Sequence, residues 1–354
     1  MLQLKAIILA GGFATRLRPL SCTRPKTLFP IVNKPLLQWI FEKLIQNDIT
    51  DAILAVNRLT GFYIKEQKIP KKGLHIKFSY DPPRMPLGTA GPVKQAEKLI
   101  GQKEPFLVLN GDIFADLNYR EIIETHVKKK ASATIALCRV EDPSRYGVAE
   151  IADDDRITRF IEKPQKGTAP SDLINAGVYV LNPEVLRLIP KGRRVSMERE
   201  IFPKLAADGK LYGHRVQGLW MDVGKPDEYL QTNKILVEAF PEKKKMRGKF
   251  ELRNPVALGK GVSIGEDSII GPYAILGKNV TIGKRVEIRD SVIFQETEIC
   301  DSARIAGAII GEGASIGEDV KINKGCIIAD HAVIRKGVHL KEDVVVCPAK
   351  EVKE

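Results

Sequence analysis

Apolar positions along this chain follow two different periods. In residues 1 to about 240, short apolar runs alternate with amphipathic stretches. Residues 5–10 read as a buried strand, and residues 35–47 as a helix, because Leu36, Leu37, Ile40 and Leu44 recur at helical spacing. Asp51–Val56 predicts a second strand, residues 89–100 a helix, and residues 106–109 a third strand that ends at Asn110-Gly111-Asp112. This alternation predicts an α/β domain with a Rossmann-like mixed, mostly parallel sheet covered by helices on both faces. In such sheets ligands sit beyond the carboxyl ends of the strands. The glycines after Ala10 and the Asn-Gly-Asp after Leu109 both fall at such ends.

After about residue 255 the period becomes six. Aliphatic residues recur at Leu258, Ile264, Ile270, Leu276, Ile282 and Ile288, and glycine follows five of these six. Small or β-branched residues stand two positions earlier, as at Val262, Ser268 and Ala274. The register shortens twice, through Ile293, Ile299, Ile305 and Ile310, and then resumes through Ile316, Ile322, Ile328, Ile334, Leu340 and Val346. Hexapeptide repeats of this kind predict a left-handed parallel β-helix with the aliphatic residue of each side pointing inward. These sixteen sides predict about five coils. The expected division is a domain at 1–240, a linker at 241–254 that holds Pro241 and the run Lys243-Lys244-Lys245, and the β-helix at 255–354. A packed prism has no pocket of its own, so the chemistry is expected in the first half.

Composition narrows the function classes. A length of 354 residues with 44% apolar content fits two soluble domains. No apolar run approaches the roughly 18 residues a membrane helix needs, so no membrane partner is expected. The apolar start at residues 2–10 is followed by two glycines, Arg16 and Arg18 instead of a cleavage site, and reads as a strand, not a signal peptide. Five scattered cysteines without metal-ligand spacing point to a reducing compartment, the cytoplasm. The formal charge of +12 raises nucleic acid as a partner, but the cations are dispersed and not interleaved with aromatics, so none is expected. The surplus also suits phosphorylated substrates.

The run Gly11-Gly12-Phe13-Ala14-Thr15-Arg16-Leu17-Arg18 follows the first strand. Convergent backbone N–H groups hold phosphate oxygens well, and glycine allows close approach. Arg16 adds a forked, permanently charged donor. No Gly-Lys-Ser/Thr closes the loop and no G-x-G-x-x-G is present, so it is neither a Walker A motif nor a dinucleotide fingerprint. Alone, such a glycine pair is more often a tight turn than a phosphate site. Lys26 adds a second cation, and Asp112 and Asp222 each end a strand-like run. Two carboxylates brought together suit Mg²⁺, whose octahedron phosphate and water complete.

This set resembles the sugar-phosphate nucleotidyltransferase family, most closely its mannose-1-phosphate guanylyltransferases. The resemblance runs from Leu9-Ala10-Gly11-Gly12 to Lys26, and through Asn33-Lys34-Pro35, residues 86–91, Asn110-Gly111-Asp112 and Tyr146-Gly147-Val148. It continues in Glu162-Lys163-Pro164, Asn175-Ala176-Gly177, Trp220-Met221-Asp222-Val223-Gly224 and the hexapeptides. It implies an enzyme that joins a nucleoside triphosphate to a sugar 1-phosphate, with Mg²⁺. The nucleotide would meet Leu9, Ala10, Gly11, Gly12, Thr15, Arg16, Lys26, Gly88, Thr89 and Asp112, with Arg16, Lys26 and Asp112 catalytic. The metal would lie on Asp112 and Asp222, and the sugar phosphate on Gly147, Glu162, Lys163 and Asn175. Ala14 stands where the family often has glycine, which weakens any expectation of a left-handed backbone there. A thymidylyl- or uridylyltransferase acting on glucose 1-phosphate is the alternative enzyme. A non-catalytic regulatory subunit is a second alternative, and an acyltransferase using His331 or His339 a third. The β-helix is expected to mediate homo-oligomer formation.

Overall fold

The computed structural model describes residues 4–354 except 13, 72, 84, 242–245 and 247. The lysine run at 243–245 and Phe13 of the glycine-rich loop therefore lie outside the described residues. The chain forms two compact units, one of residues 1–12 and 37–221, the other of residues 13–36 and 222–354.

Nine strands build the sheet of the first unit. Lys5–Leu9 pairs in parallel with both Asp51–Val56 and Phe106–Asn110, and Asp51–Val56 pairs in parallel with His75–Tyr80. Beyond Phe106–Asn110 the direction changes. Leu173–Leu181 runs antiparallel to Phe106–Asn110, Ala133–Arg139 and Gly147–Ile151, and Gly147–Ile151 pairs antiparallel with Ile157–Glu162. Helical crossovers link the early strands and enforce parallel pairing, whereas the short turn after Ile151 permits a hairpin. The helix expected at 35–47 is Leu36–Gln46, with all four of its spaced apolar residues buried. The helix expected at 89–100 is two short ones, Gly91–Gln95 and Glu97–Ile100, because Ala96 sits at φ −82°, ψ 0° between them. Ala90, Val93 and Ala96 pack with Ile7, Ile53 and Val108 in a core that buries one face of the parallel strands.

The second unit holds three parallel sheets of six strands each, the arrangement of a left-handed parallel β-helix. One column stacks Leu252, Ile270, Ile288, Ile305, Ile322 and Leu340. The glycines after the aliphatic residues mark close stacking of successive coils: a Cβ on Gly265 would lie 2.4 Å from the Gly283 carbonyl oxygen. Ser268 is fully buried, and its hydroxyl donates to Gly283 O (2.8 Å) and accepts from Val286 N (3.0 Å). Six strands per sheet exceed the about five coils expected. The extra sides are Glu251–Leu252 and Glu351–Val352, which carry the same period one step beyond Leu258 at one end and Val346 at the other. Glu251–Leu252 falls inside the segment read as linker.

Residues 13–36 belong to this same unit. Tyr229, on the helix Pro226–Ala239, donates its hydroxyl to Pro30 O, and Asn233 Oδ1 accepts from Val32 N at 2.8 Å. Phe29, Tyr229 and Phe294 meet edge to face with centroids 5.9–6.3 Å apart.

Candidate functional site

In the first unit, two neighbouring parallel strands deliver their carboxyl ends together. Leu9 is in register with Asn110, Gly111 N donates to Leu9 O (2.9 Å), and Ala10 N donates to Ala55 O (2.9 Å). Gly12 and Asp112 emerge from these ends exposed. Asn57 fixes the turn: its Nδ2 donates to Gly11 O (3.0 Å) while its Oδ1 caps the helix Arg58–Glu66 by accepting from Thr60 N (2.8 Å). A Cβ on Gly11 would lie 3.4 Å from Asp81 Oδ2. Asp81 follows the strand His75–Tyr80, and burial pushes its carboxyl up to about 6. Asn57 and Asp81 were not among the residues expected at the site, although each directly follows the carboxyl end of a parallel strand.

Gly88 and Thr89 are held by a segment about a hundred residues away. Gly88 has φ 78°, and a Cβ there would lie 2.3 Å from Val195 O. Val195 N donates to Leu87 O (3.0 Å), and Ala90 N to Val195 O (3.0 Å). The Thr89 hydroxyl donates to Glu198 Oε2 (2.6 Å) and accepts from Met197 N (2.8 Å). Glu198 lies in a π-helical turn, Met197–Ile201, a rare form that gathers at functional sites. It too was missed, because its partners are remote in sequence.

The residues expected at a sugar gather on the adjoining antiparallel strands. Gly147 is buried, and a Cβ there would lie 2.5 Å from Phe160 Cζ and 3.0 Å from Glu162 Oε2. Burial, reinforced by Glu198 and opposed by Lys163, raises the Glu162 carboxyl above its ordinary range. Lys163 is exposed, adopts φ 52°, and places its Nζ 3.6 Å from Glu162 Oε1. Asn175 Oδ1 accepts from Gly177 N (2.8 Å), and its Nδ2 donates to the Tyr179 hydroxyl (3.0 Å). Each end of that amide keeps capacity for one more hydrogen bond. Trp220 Nε1 donates to Ala176 O (2.9 Å) and stands edge-on to Tyr146.

The second unit carries Arg16 and Lys26, the two cations expected at the triphosphate. Arg16 lies exposed on the single turn Thr15–Leu17, which buried Leu17 anchors. Its Nη2 is 3.2 Å from the point a Cβ on Gly224 would occupy, and Glu228 Oε2 and Asp222 Oδ2 are 3.0 and 3.1 Å from the same point. Lys26 is buried, with Nζ 3.6 Å from Asp222 Oδ1. The structure thus brings Arg16, Asp222 and Glu228 together around Gly224 and pairs Lys26 with Asp222. Glu228 joins the expected set from the first turn of its helix. Asp222 and Glu228 offer the hard carboxylate oxygens that Mg²⁺ takes, but the Arg16 guanidinium stands at the same point, and no group of three or more His, Cys, Asp or Glu among the described residues is placed to hold a metal ion.

Ala14 is left-handed after all, with φ 45° and ψ 43°. Its carbonyl accepts from Leu17 N (3.0 Å) and the Ser21 hydroxyl (2.9 Å), which hold it there despite its Cβ. A left-handed non-glycine residue costs about 1–2 kcal/mol. Ala14→Gly is therefore expected to stabilise the protein by about 1 kcal/mol after the entropy glycine adds to the unfolded chain. Chemical denaturation would register this as a higher midpoint, and an unchanged or lower midpoint would contradict it.

Residues 5–239 match the Nucleotidyl transferase family, and residues 252–354 match the GMPPB C-terminal domain. The chain is 42% identical over 229 residues to the mannose-1-phosphate guanylyltransferase catalytic subunit beta of Danio rerio, an alignment covering 64% of this chain and 63% of that relative. The aligned part thus spans less than two thirds of the relative's length. Among solved structures, HddC from Yersinia pseudotuberculosis superposes with a TM-score of 0.56 at 29% identity, covering 66% of this chain and 99% of that one. A putative glucose-1-phosphate thymidylyltransferase from Bacillus anthracis, in complex with a sucrose, superposes at 0.58 and 25% identity, covering 66% and 94%. No described helix is long and apolar enough to cross a membrane. The family match takes in every strand of the first unit together with the loop residues 13–36 that pack in the second, and on that ground the chain belongs to the nucleotidyl transferase family.

Proposed function

We propose that the chain transfers a nucleoside monophosphate from a nucleoside triphosphate to a sugar 1-phosphate and releases pyrophosphate, with GTP and mannose 1-phosphate as its substrates. The observation that carries this reading is the register of Leu9 with Asn110, which sets a glycine-rich loop and a carboxylate at adjoining strand ends. The sugar phosphate is already an anionic nucleophile, so the reaction needs no general base. Its phosphate oxygen attacks the α-phosphorus in line, and the bond to the departing pyrophosphate breaks. The obstacle is repulsion between anions, which Arg16 and Lys26 offset. Asp112 and Asp222 are the residues to hold Mg²⁺, which when bound neutralises phosphate oxygens. Glu162 and Asn175 offer acceptors and a donor to sugar hydroxyls, and Lys163 a charge to the sugar phosphate. Arg16, Lys26, Asp112 and Asp222 are all present, which disfavours a non-catalytic subunit.

Guanine is supported by the relatives' names and by the HddC structure complexed with GMP-PN. Asp81 adds a chemical reason. An ionised carboxylate is acceptor-only, and guanine alone presents adjacent N1–H and N2–H₂ donors on one edge. Asp81→Asn is expected to raise the KM for GTP about tenfold or more and to narrow the gap between GTP and UTP. In the wild type, protonation of Asp81 removes an acceptor, so the KM for GTP rises as pH falls through about 6, while the variant stays flat. Steady-state kinetics across pH check this, and an unchanged base preference in the variant removes Asp81 from base recognition. The Bacillus anthracis neighbour keeps thymidylyl transfer to glucose 1-phosphate as the second reading. Assaying each nucleoside triphosphate against a panel of sugar 1-phosphates decides between them.

The open strand edges at the first and last coils support a homo-oligomer built through the β-helix. Five free cysteines support a reducing, cytoplasmic setting.

A further inference from the structure

We propose that Asp330 and Glu312 of the β-helix are positioning residues for nucleotidyl transfer, acting through Arg24 on the segment that carries Lys26; this rests on the function proposed above. The observations lie within the second unit. Arg24 Nη2 donates to Asp330 Oδ2 at 2.7 Å and to Glu312 Oε2 at 2.6 Å, and the Thr23 hydroxyl donates to the same Asp330 oxygen at 2.6 Å. The Arg24 guanidinium carbon also stands 5.1 Å from the centroid of the Phe294 ring. The other Asp330 oxygen accepts from Glu312 N at 2.8 Å, so the two acidic residues, on successive coils, are tied to each other. This cluster is almost dry: side-chain exposure is 12% at Arg24, 4% at Asp330 and 22% at Glu312.

Charges this buried are costly to desolvate, and apolar side chains of similar volume often stabilise a fold as well or better. What an apolar contact lacks is direction. Two carboxylates on a rigid stack of coils fix a guanidinium in place, and two residues later the chain places Lys26 beside Asp222 at 3.6 Å. A displacement of about 1 Å at a charge-stabilising group can cost on the order of 10²-fold in rate. The β-helix, which no step of the chemistry touches, thereby sets where the phosphate-neutralising cation stands.

The test is Asp330→Asn, which keeps size and hydrogen-bonding shape but removes the charge, made in the wild type and in Lys26→Met. Product formation is measured per GTP-binding site, so that unfolded protein does not count. In the wild-type background kcat is expected to fall on the order of tenfold or more, with the KM for GTP changed by less than about threefold. In the Lys26→Met background the same substitution is expected to change kcat by less than about twofold, because the group it positions is gone. A kcat within about twofold of wild type, or an equal loss in both backgrounds, overturns the proposal. Should Asp330→Asn not fold, Glu312→Gln decides on the same two criteria, since it leaves the Arg24–Asp330 pair in place. The parent reading stands or falls separately, on whether the wild type makes a nucleotide sugar at all.

Discussion

Arg16→Ala is expected to lose on the order of 10³-fold or more in turnover, as transition-state arginines do in phosphoryl transfer. The side chain projects, exposed, from a single helical turn whose Leu17 is buried, so truncation removes a charge without opening a cavity. Its guanidinium stands against Gly224, with Asp222 and Glu228 beside the same point. Charge builds on the departing pyrophosphate only as the α-phosphorus is attacked, so the interaction lost is one that strengthens in the transition state. Hence kcat should fall far more than the KM for GTP rises. Arg16→Lys keeps a charge but not the fork, and should recover only part of the loss. Turnover of Arg16→Ala within about tenfold of wild type would remove it from the catalytic residues.

The second large effect concerns stability. Gly88→Ala meets two penalties at once: a φ of 78° and a Cβ 2.3 Å from the backbone oxygen of Val195. The obstructing atom is backbone, held by Ala90 N at 3.0 Å, so no rotamer change relieves the contact. A loss of about 3 kcal/mol or more is expected, above the usual range for one substitution. The relaxed backbone should also free the Thr89 hydroxyl from Glu198, so the folded fraction should bind GTP more weakly. Chemical denaturation of Gly88→Ala against wild type measures the first effect, and a difference below about 1 kcal/mol would contradict it.

What could be read from the chain depended on how many residues repeat one constraint. The β-helix was legible because each side demands the same inward aliphatic residue at nearly the same spacing. The period in fact runs one step further at each end, to Leu252 and Val352, where the first of them falls in the segment expected to be linker. The parallel strands were legible as apolar runs with polar residues at their ends. The reversal at Leu173–Leu181 was not, because a strand buried on both faces shows no sign of its direction. Within the site, Gly11, Arg16, Lys26 and Asp112 stood out as local motifs. Glu198 did not, because it matters only through Thr89, 109 residues away in sequence. The left-handed Ala14 was hidden for another reason: two hydrogen bonds to its carbonyl impose a conformation its side chain disfavours.

The most direct measurement follows the phosphorus. GTP labelled at the α-position is incubated with the protein, Mg²⁺ and mannose 1-phosphate, and the products are separated. The label is expected to pass into GDP-mannose, with one pyrophosphate released for each nucleotide sugar formed. Label recovered only as GMP or GDP, with mannose 1-phosphate unconsumed, would contradict it.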